Sequence, residues 1–134
     1  MGTSRKILLV EDDVFLSSLL KNRLQKEDLE VILAKDGEEA LKLLKETKPN
    51  LILLDLILPK RSGFEVMEDI RSDPSLQIQV QDVPIIIVSN LGQEADIKRS
   101  EELGAVEYFV KAKTSLDDLG KKIKEFLISS KNTS

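Results

Sequence analysis

The chain of 134 residues has neither cysteine nor histidine. The first absence excludes disulfides and thiolate metal sites, and it is compatible with a reducing compartment. The second removes the commonest general base and the usual zinc ligand. A Ser-His-Asp hydrolase and a histidine-ligated zinc enzyme are therefore excluded, and any metal must be held by oxygen. Long apolar runs are missing too. The segment Met1-Gly2-Thr3-Ser4-Arg5-Lys6 leads only into Ile7-Leu8-Leu9-Val10 before Glu11. That is too short for a signal-peptide core, and nothing approaches a membrane span. A cytoplasmic location with no membrane partner is expected. Nor is there an excess of positive charge. Lys and Arg number 20 against 24 Asp and Glu, for a net charge of −4. No basic stripe dominates, so nucleic-acid binding by this chain is not expected.

What is present is ordinary for one soluble domain: 41% hydrophobic and 33% charged residues, in a length sufficient for a sizeable core. Five strand–helix units can be read in order. Short, branched apolar runs mark buried strands at about Lys6 to Val10, Glu30 to Ala34, Leu51 to Leu54, Ile85 to Val88 and Val106 to Val110. Between them run amphipathic stretches. The first carries Leu16, Leu20 and Leu24, with Leu19 beside them. The second carries Ala40, Leu41 and Leu44, introduced by Asp36-Gly37, with Glu39 at capping distance from Asp36. The third carries Val66, Met67 and Ile70 behind a Ser62/Glu65 capping box. The fourth, Glu94 to Leu103, has few apolar residues beyond Ala95, Ile97 and Leu103. The fifth runs from Leu116 to Ile128 with Leu119, Ile123, Phe126 and Leu127 on one face. Strict alternation of this kind predicts a parallel sheet with helices on both faces. One segment breaks the pattern: Gln77-Ile78-Gln79-Val80-Gln81 alternates polar and apolar residues, as in a short strand or an extra surface loop.

The chemistry stands at the strand ends. Glu11-Asp12-Asp13 follows the first run and Asp55 the third. In parallel sheets the carboxyl ends of the strands form the ligand crevice. Four carboxylates aimed at one place repel one another unless a cation sits among them. A hard divalent ion such as Mg2+ takes oxygen ligands and suits them. Part of this cluster has a plainer reading, since an acid in the first turn of a helix favours the dipole, and Asp13 fits that. An aspartate carboxylate can also act as a nucleophile towards phosphorus, with a metal and positive groups to hold the developing charge. Ser89 ends the fourth strand and Lys111 the fifth. Together they bring a hydroxyl and a cation to the edge that holds Asp55.

An acidic pair, an aspartate, a serine and a lysine, each at a strand end, resemble the receiver domain of two-component response regulators. The segments that carry the resemblance are Ile7-Leu8-Leu9-Val10-Glu11-Asp12-Asp13, Leu54-Asp55-Leu56-Ile57-Leu58-Pro59 with Gly63, Val88-Ser89, and Tyr108-Phe109-Val110-Lys111. The resemblance covers residues 5–129, leaving 1–4 and 130–134 as short tails. It implies an α/β, flavodoxin-like, doubly wound (βα)5 fold with a parallel five-stranded sheet in the order 2-1-3-4-5. It implies that Asp55 accepts a phosphoryl group from a histidine kinase or a histidine phosphotransfer protein. Asp12 would ligate Mg2+ directly, Glu11 through water, and Ile57 through its backbone carbonyl. Ser89 would bind the phosphoryl group and Tyr108 would report the resulting switch. Such a chain is a phosphoacceptor that promotes its own Mg2+-dependent phosphorylation and dephosphorylation, rather than an enzyme in the ordinary sense. If the sequence is the full protein rather than a fragment of a larger regulator, a downstream protein partner, or a second copy bound through the fourth helix, fifth strand and fifth helix, is expected.

Three departures from the family pattern stand out. Asn90 occupies the place of a small residue after the serine. Ala112 follows Lys111 where proline is common, and a cis bond before a non-proline costs ~2.5–4 kcal/mol. The stretch from Asp73 to Val83 is longer than usual. Other readings fare worse. A flavin carrier would need a hydroxyl- and glycine-rich loop where Glu11-Asp12-Asp13 stands. A haloacid-dehalogenase-type phosphatase would need an aspartate where Ile57 stands. A degenerate receiver, acting only as a protein-binding module, is the remaining alternative, against which the intact acids, Ser89 and Lys111 speak.

Overall fold

The computed structural model describes residues 5–132. Five strands, β1 (Arg5–Val10), β2 (Leu29–Ala34), β3 (Leu51–Leu54), β4 (Ile85–Ser89) and β5 (Glu107–Val110), alternate with helices α1 (Val14–Gln25), α2 (Gly37–Glu46), α3 (Gly63–Ser72), α4 (Pro74–Gln79), α5 (Glu94–Glu102) and α6 (Leu116–Asn132). All strand pairings are parallel, in the order β2-β1-β3-β4-β5. This is the flavodoxin-like α/β arrangement expected. The expected tails at 1–4 and 133–134 lie outside the described residues, while 130–132 continue α6 past its expected end at Ile128. No helix among the described residues is long and apolar enough to cross a membrane.

The near-continuous apolar strands are explained by coverage on both sides. Leu8, Val10, Ile52, Leu54, Ile85 and Ile87 face one apolar cluster, which takes in Ala40 and Leu44 of α2, Val66, Met67 and Ile70 of α3, and Leu76 of α4. Ile7, Leu9, Leu51, Leu53, Ile86 and Val88 face the other, with Leu20 and Leu24 of α1 and Leu119, Ile123 and Leu127 of α6. Alternate residues of each strand thus enter opposite layers, as the pleat requires.

The segment around 77–81 is neither strand nor loop. It belongs largely to α4, which is a correction to the expectation. Pro74 sits in the first turn, where its missing N–H costs nothing, and the Asp73 side chain caps the helix by accepting from the Ser75 N–H at 3.0 Å. At helical spacing Leu76 and Val80 fall on one buried face while Ile78 is 70% exposed. The polar–apolar alternation was real but had the wrong period assigned to it.

Two glycines let backbone segments approach closely just past the strand ends. A Cβ on Gly63 would stand 2.3 Å from the carbonyl oxygen of Asp55, and one on Gly37 would stand 2.0 Å from that of Arg61. Gly63 thus lets the start of α3 turn back beneath the end of β3, where its N–H donates to the Leu56 carbonyl at 3.0 Å.

Candidate functional site

Sheet register brings the site residues together. Val10 pairs with Leu54, so the next residues, Glu11 and Asp55, lie side by side, with the Asp55 N–H donating to the Val10 carbonyl at 3.1 Å. Ser89 pairs with Val110, which puts Lys111 one step beyond it on the neighbouring strand. Glu11 and Asp55 are almost wholly buried, at 2% and 4% exposure. Carboxylate oxygens of Glu11, Asp12 and Asp55 all lie within 4.8 Å of one another. They line a crevice of about 360 Å3 with Asp13, Ile57, Asn90 and Lys111.

Lys111 bridges the two buried acids. Its Nζ is 2.7 Å from Asp55 Oδ2 and 2.9 Å from Glu11 Oε1. The other Asp55 oxygen accepts the backbone N–H of Ile57 at 3.2 Å. Burial pushes the Glu11 carboxyl above its ordinary range; the Lys111 hydrogen bond pulls back, and the charge of Asp55 adds to the rise. Burial alone would lower the Lys111 ammonium, but hydrogen bonds and charge from Asp55 and Glu11 outweigh it and raise it. One cation thus faces three acids and contacts two of them, and the positive charge falls short. A small hard cation with oxygen ligands fits this donor set: Asp12 is exposed, and the crevice is open enough for retained waters.

Not every expected group points inward. The Asp13 carboxylate turns away to cap α1, accepting from the Leu16 N–H at 3.1 Å, while its own N–H donates to Glu11. Three carboxylates converge, not four. Ser89 is fully buried, and its hydroxyl oxygen accepts the Leu91 N–H at 3.3 Å. The Tyr108 hydroxyl donates to the Leu91 carbonyl, so serine and tyrosine grip the same loop residue. The Tyr108 hydroxyl is held above its ordinary pKa by burial and by the negative charges of Asp96 and Asp55. After Lys111 the chain enters a single 3-10 turn, Lys111–Lys113, and no described peptide bond is cis.

Sequence reasoning passed over one feature. Val14 and Phe15, at the start of α1 beside Asp13, are 72% and 74% exposed, and Ile57 is 55% exposed. Ile57 is an apolar side chain on the crevice lining, and Val14 and Phe15 follow directly on Asp13, which lines it too. The signal was available: Phe15 falls outside the Leu16–Leu20–Leu24 stripe, so no core position was left for it.

The sheet order, with acids and a lysine converging at its carboxyl edge, defines a flavodoxin-like α/β domain of the signalling-receiver type. Residues 7–124 match the profile described as the response regulator receiver domain, and the chain belongs to that family. It is 42% identical over 106 residues to the transcriptional regulatory protein CpxR of Escherichia coli K12, covering 79% of this chain and 42% of that protein. It is 39% identical over 111 residues to a probable transcriptional regulator, ycf27, of Guillardia theta, covering 83% and 41%. The chain therefore spans about two fifths of the length of these relatives. Among solved structures, a CheY-like receiver domain protein from Methanospirillum hungatei superposes with a TM-score of 0.87 at 27% identity, covering 98% of this chain and all of that one. The beryllofluoride-activated receiver domain of Klebsiella pneumoniae RstA gives 0.80 at 29% identity, covering 92% and 98%.

Proposed function

We propose that residues 5–129 act as a phosphoacceptor switch in which Asp55 takes a phosphoryl group from the phosphohistidine of a histidine kinase or a histidine phosphotransfer protein. The observation that carries this reading is the Asp55 carboxylate. It is buried at a strand end, and one oxygen is held by Lys111 at 2.7 Å and the other by the Ile57 N–H at 3.2 Å. An Asp55 oxygen attacks phosphorus, the bond from phosphorus to the imidazole nitrogen breaks, and the imidazole leaves. Lys111 stands where it can pair with a phosphoryl oxygen. Asp12, Asp55 and the Ile57 carbonyl would hold Mg2+, with Glu11 acting through water. When bound, the ion supplies charge neutralisation for the incoming phosphoryl oxygens.

Ser89 then exchanges its contact with Leu91 for the phosphoryl group, and the loop leading to α5 follows. Tyr108 moves with it, because its hydroxyl is bonded to that loop. The readout is a protein surface formed by α5, β5 and α6, offered to a downstream partner or a second copy. The exposed Val14, Phe15 and Ile57 suit contact with the phosphodonor. The kinship with transcriptional regulators bears on the whole of those proteins; for this chain the proposed action is contact with protein, in the cytoplasm, without nucleic acid.

The test is phosphorylation by acetyl phosphate with Mg2+, followed by intact mass and peptide mapping. One acid-labile phosphoryl group on Asp55 is expected, lost in Asp55→Asn and slowed by at least about tenfold in Asp12→Ala. Label on Asp13 or Asp36, or full labelling of Asp55→Asn, would overturn the assignment.

A further inference from the structure

α5 is held differently from the other helices. Each of α1, α2, α3, α4 and α6 places apolar side chains in one of the two buried clusters. Within α5 there are only Ala95 and Ile97 to offer; Ala95 is exposed and neither belongs to the clusters, so the apolar anchor is Leu103, at the C-terminal cap, which packs against one of them. Its one fully buried residue is Ser100, whose hydroxyl donates within the helix, to the Ile97 carbonyl at 2.8 Å. On its β5 side lies a hollow of about 260 Å3, between Ile97, Ser100 and Glu101 on one wall and Val106, Glu107 and Tyr108 on the other. That side supplies room rather than support.

Along its exposed length, support comes from α3, through two arginines. The Arg99 guanidinium lies 4.2 Å from the centre of the Phe64 ring and 3.0 Å from the Glu68 carboxylate. Arg71, on α3, donates in the other direction to the Glu102 carbonyl at the last turn of α5. A planar guanidinium can stack and pair at once, which an ammonium cannot. The two arginines thus join the helices from both sides, one reaching out from α5 and the other reaching in.

We propose that Arg99 and Arg71 form a clasp that holds α5 against α3, and that this clasp sets how readily an occupied crevice shifts α5. The coupling half of the proposal rests on Asp55 being the phosphoacceptor. A contact made in one position of α5 and broken in another biases the equilibrium between them, and by linkage it opposes any ligand that favours the second. The loop after Ser89 leads directly into α5, so a shift begun at the crevice must work against the clasp. The hollow beside β5 gives the released helix somewhere to go.

Hydrogen–deuterium exchange and beryllofluoride titration, both with Mg2+ present, test this on the full chain. The variants are Arg99→Ala, Arg71→Ala, the double variant and Arg99→Lys. In the double variant without beryllofluoride, α5 amides should exchange at least about fivefold faster than in the wild type, with α1 and α6 unchanged. Half-saturation by beryllofluoride should fall by about threefold for each single alanine and about tenfold for the pair. Arg99→Lys keeps the charge and loses the stacking, and should behave like Arg99→Ala in part. Wild-type exchange throughout α5 would overturn the clasp. Faster exchange with an unmoved titration would overturn its link to the crevice. A wild type that responds to beryllofluoride no better than Asp55→Asn would instead remove the phosphoacceptor reading, and the exchange experiment would still decide whether the clasp holds the helix.

Discussion

Among the described residues, Lys111 is the only cation lining the crevice, and it answers two buried carboxylates. Truncating it leaves Glu11 and Asp55 side by side without compensation. Breaking a buried ion pair costs about 3–5 kcal/mol, and the open crevice places this site at or below the low end of that range. Lys111→Ala should therefore lower urea stability measurably without Mg2+, and Mg2+ should restore more stability to it than to the wild type. Ile57 and Leu91 matter for a different reason. They lie two positions beyond Asp55 and Ser89, and their side chains offer no hydrogen bond to a water approaching an acyl phosphate. Asn90 adds bulk at the crevice lining. Water in line with the leaving oxygen needs polar groups to orient it. The phosphorylated form should thus be long-lived, and an Ile57→Asn, Leu91→Glu double variant should lose label at least about tenfold faster. Equal decay would sink this explanation. Most of these residues were legible in the sequence because each is the first or second residue past an apolar run, where a parallel sheet collects its ligands. The arginines of the clasp were not, because a side chain's surface partners depend on how helices pack, which periodicity does not encode.

Elements are set by their ends as much as by their faces. The α3 capping box is complete: Ser62 Oγ accepts from the Glu65 N–H at 3.1 Å, and the Glu65 carboxylate accepts from the Ser62 N–H at 2.9 Å. Ser62→Ala should cost about 1 kcal/mol by urea denaturation. The bond from the Ser62 backbone N–H holds the Glu65 carboxyl below its ordinary range. A depressed carboxyl stabilises the fold at pH values above its unfolded pKa and loses that contribution as pH falls through its folded one. The gap in thermal midpoint between wild type and Glu65→Gln should accordingly be full at neutral pH and close below the normal glutamate range. A gap that widens on acidification would contradict the assignment. This cap was readable from the spacing of Ser62 and Glu65. The α2 cap was half readable: Asp36 accepts from the Glu39 N–H as expected, but the Glu39 carboxylate reaches one residue further back, to the Lys35 N–H. The α4 segment was misread because six helical residues are too few for a 3.6-residue period to declare itself against a period of two.

For the whole molecule, the sheet is a partition. Leu24 and Leu44 are each almost fully buried, Leu24 in one apolar layer and Leu44 in the other. Each truncation to alanine should cost about 2–5 kcal/mol. With the sheet between them and each in its own apolar layer, the two costs should add within about 0.5 kcal/mol in a double-mutant cycle. A larger coupling would mean that strain crosses the strands. The fold class itself was legible because buried strands on both faces leave nearly unbroken apolar runs, and because no polar face had to be explained on any central strand.

The partition has a consequence for how such a chain can diversify. α1, with the exposed Phe15 two residues beyond Asp13, packs in one layer; α3, carrying one half of the clasp on α5, packs in the other. Substitutions near Phe15 that alter the proposed donor contact need not disturb the clasp on the other side of the sheet. On the proposed reading, the donor-facing side and the clasp on α5 can drift independently, whereas α6, which shares the layer of α1, cannot.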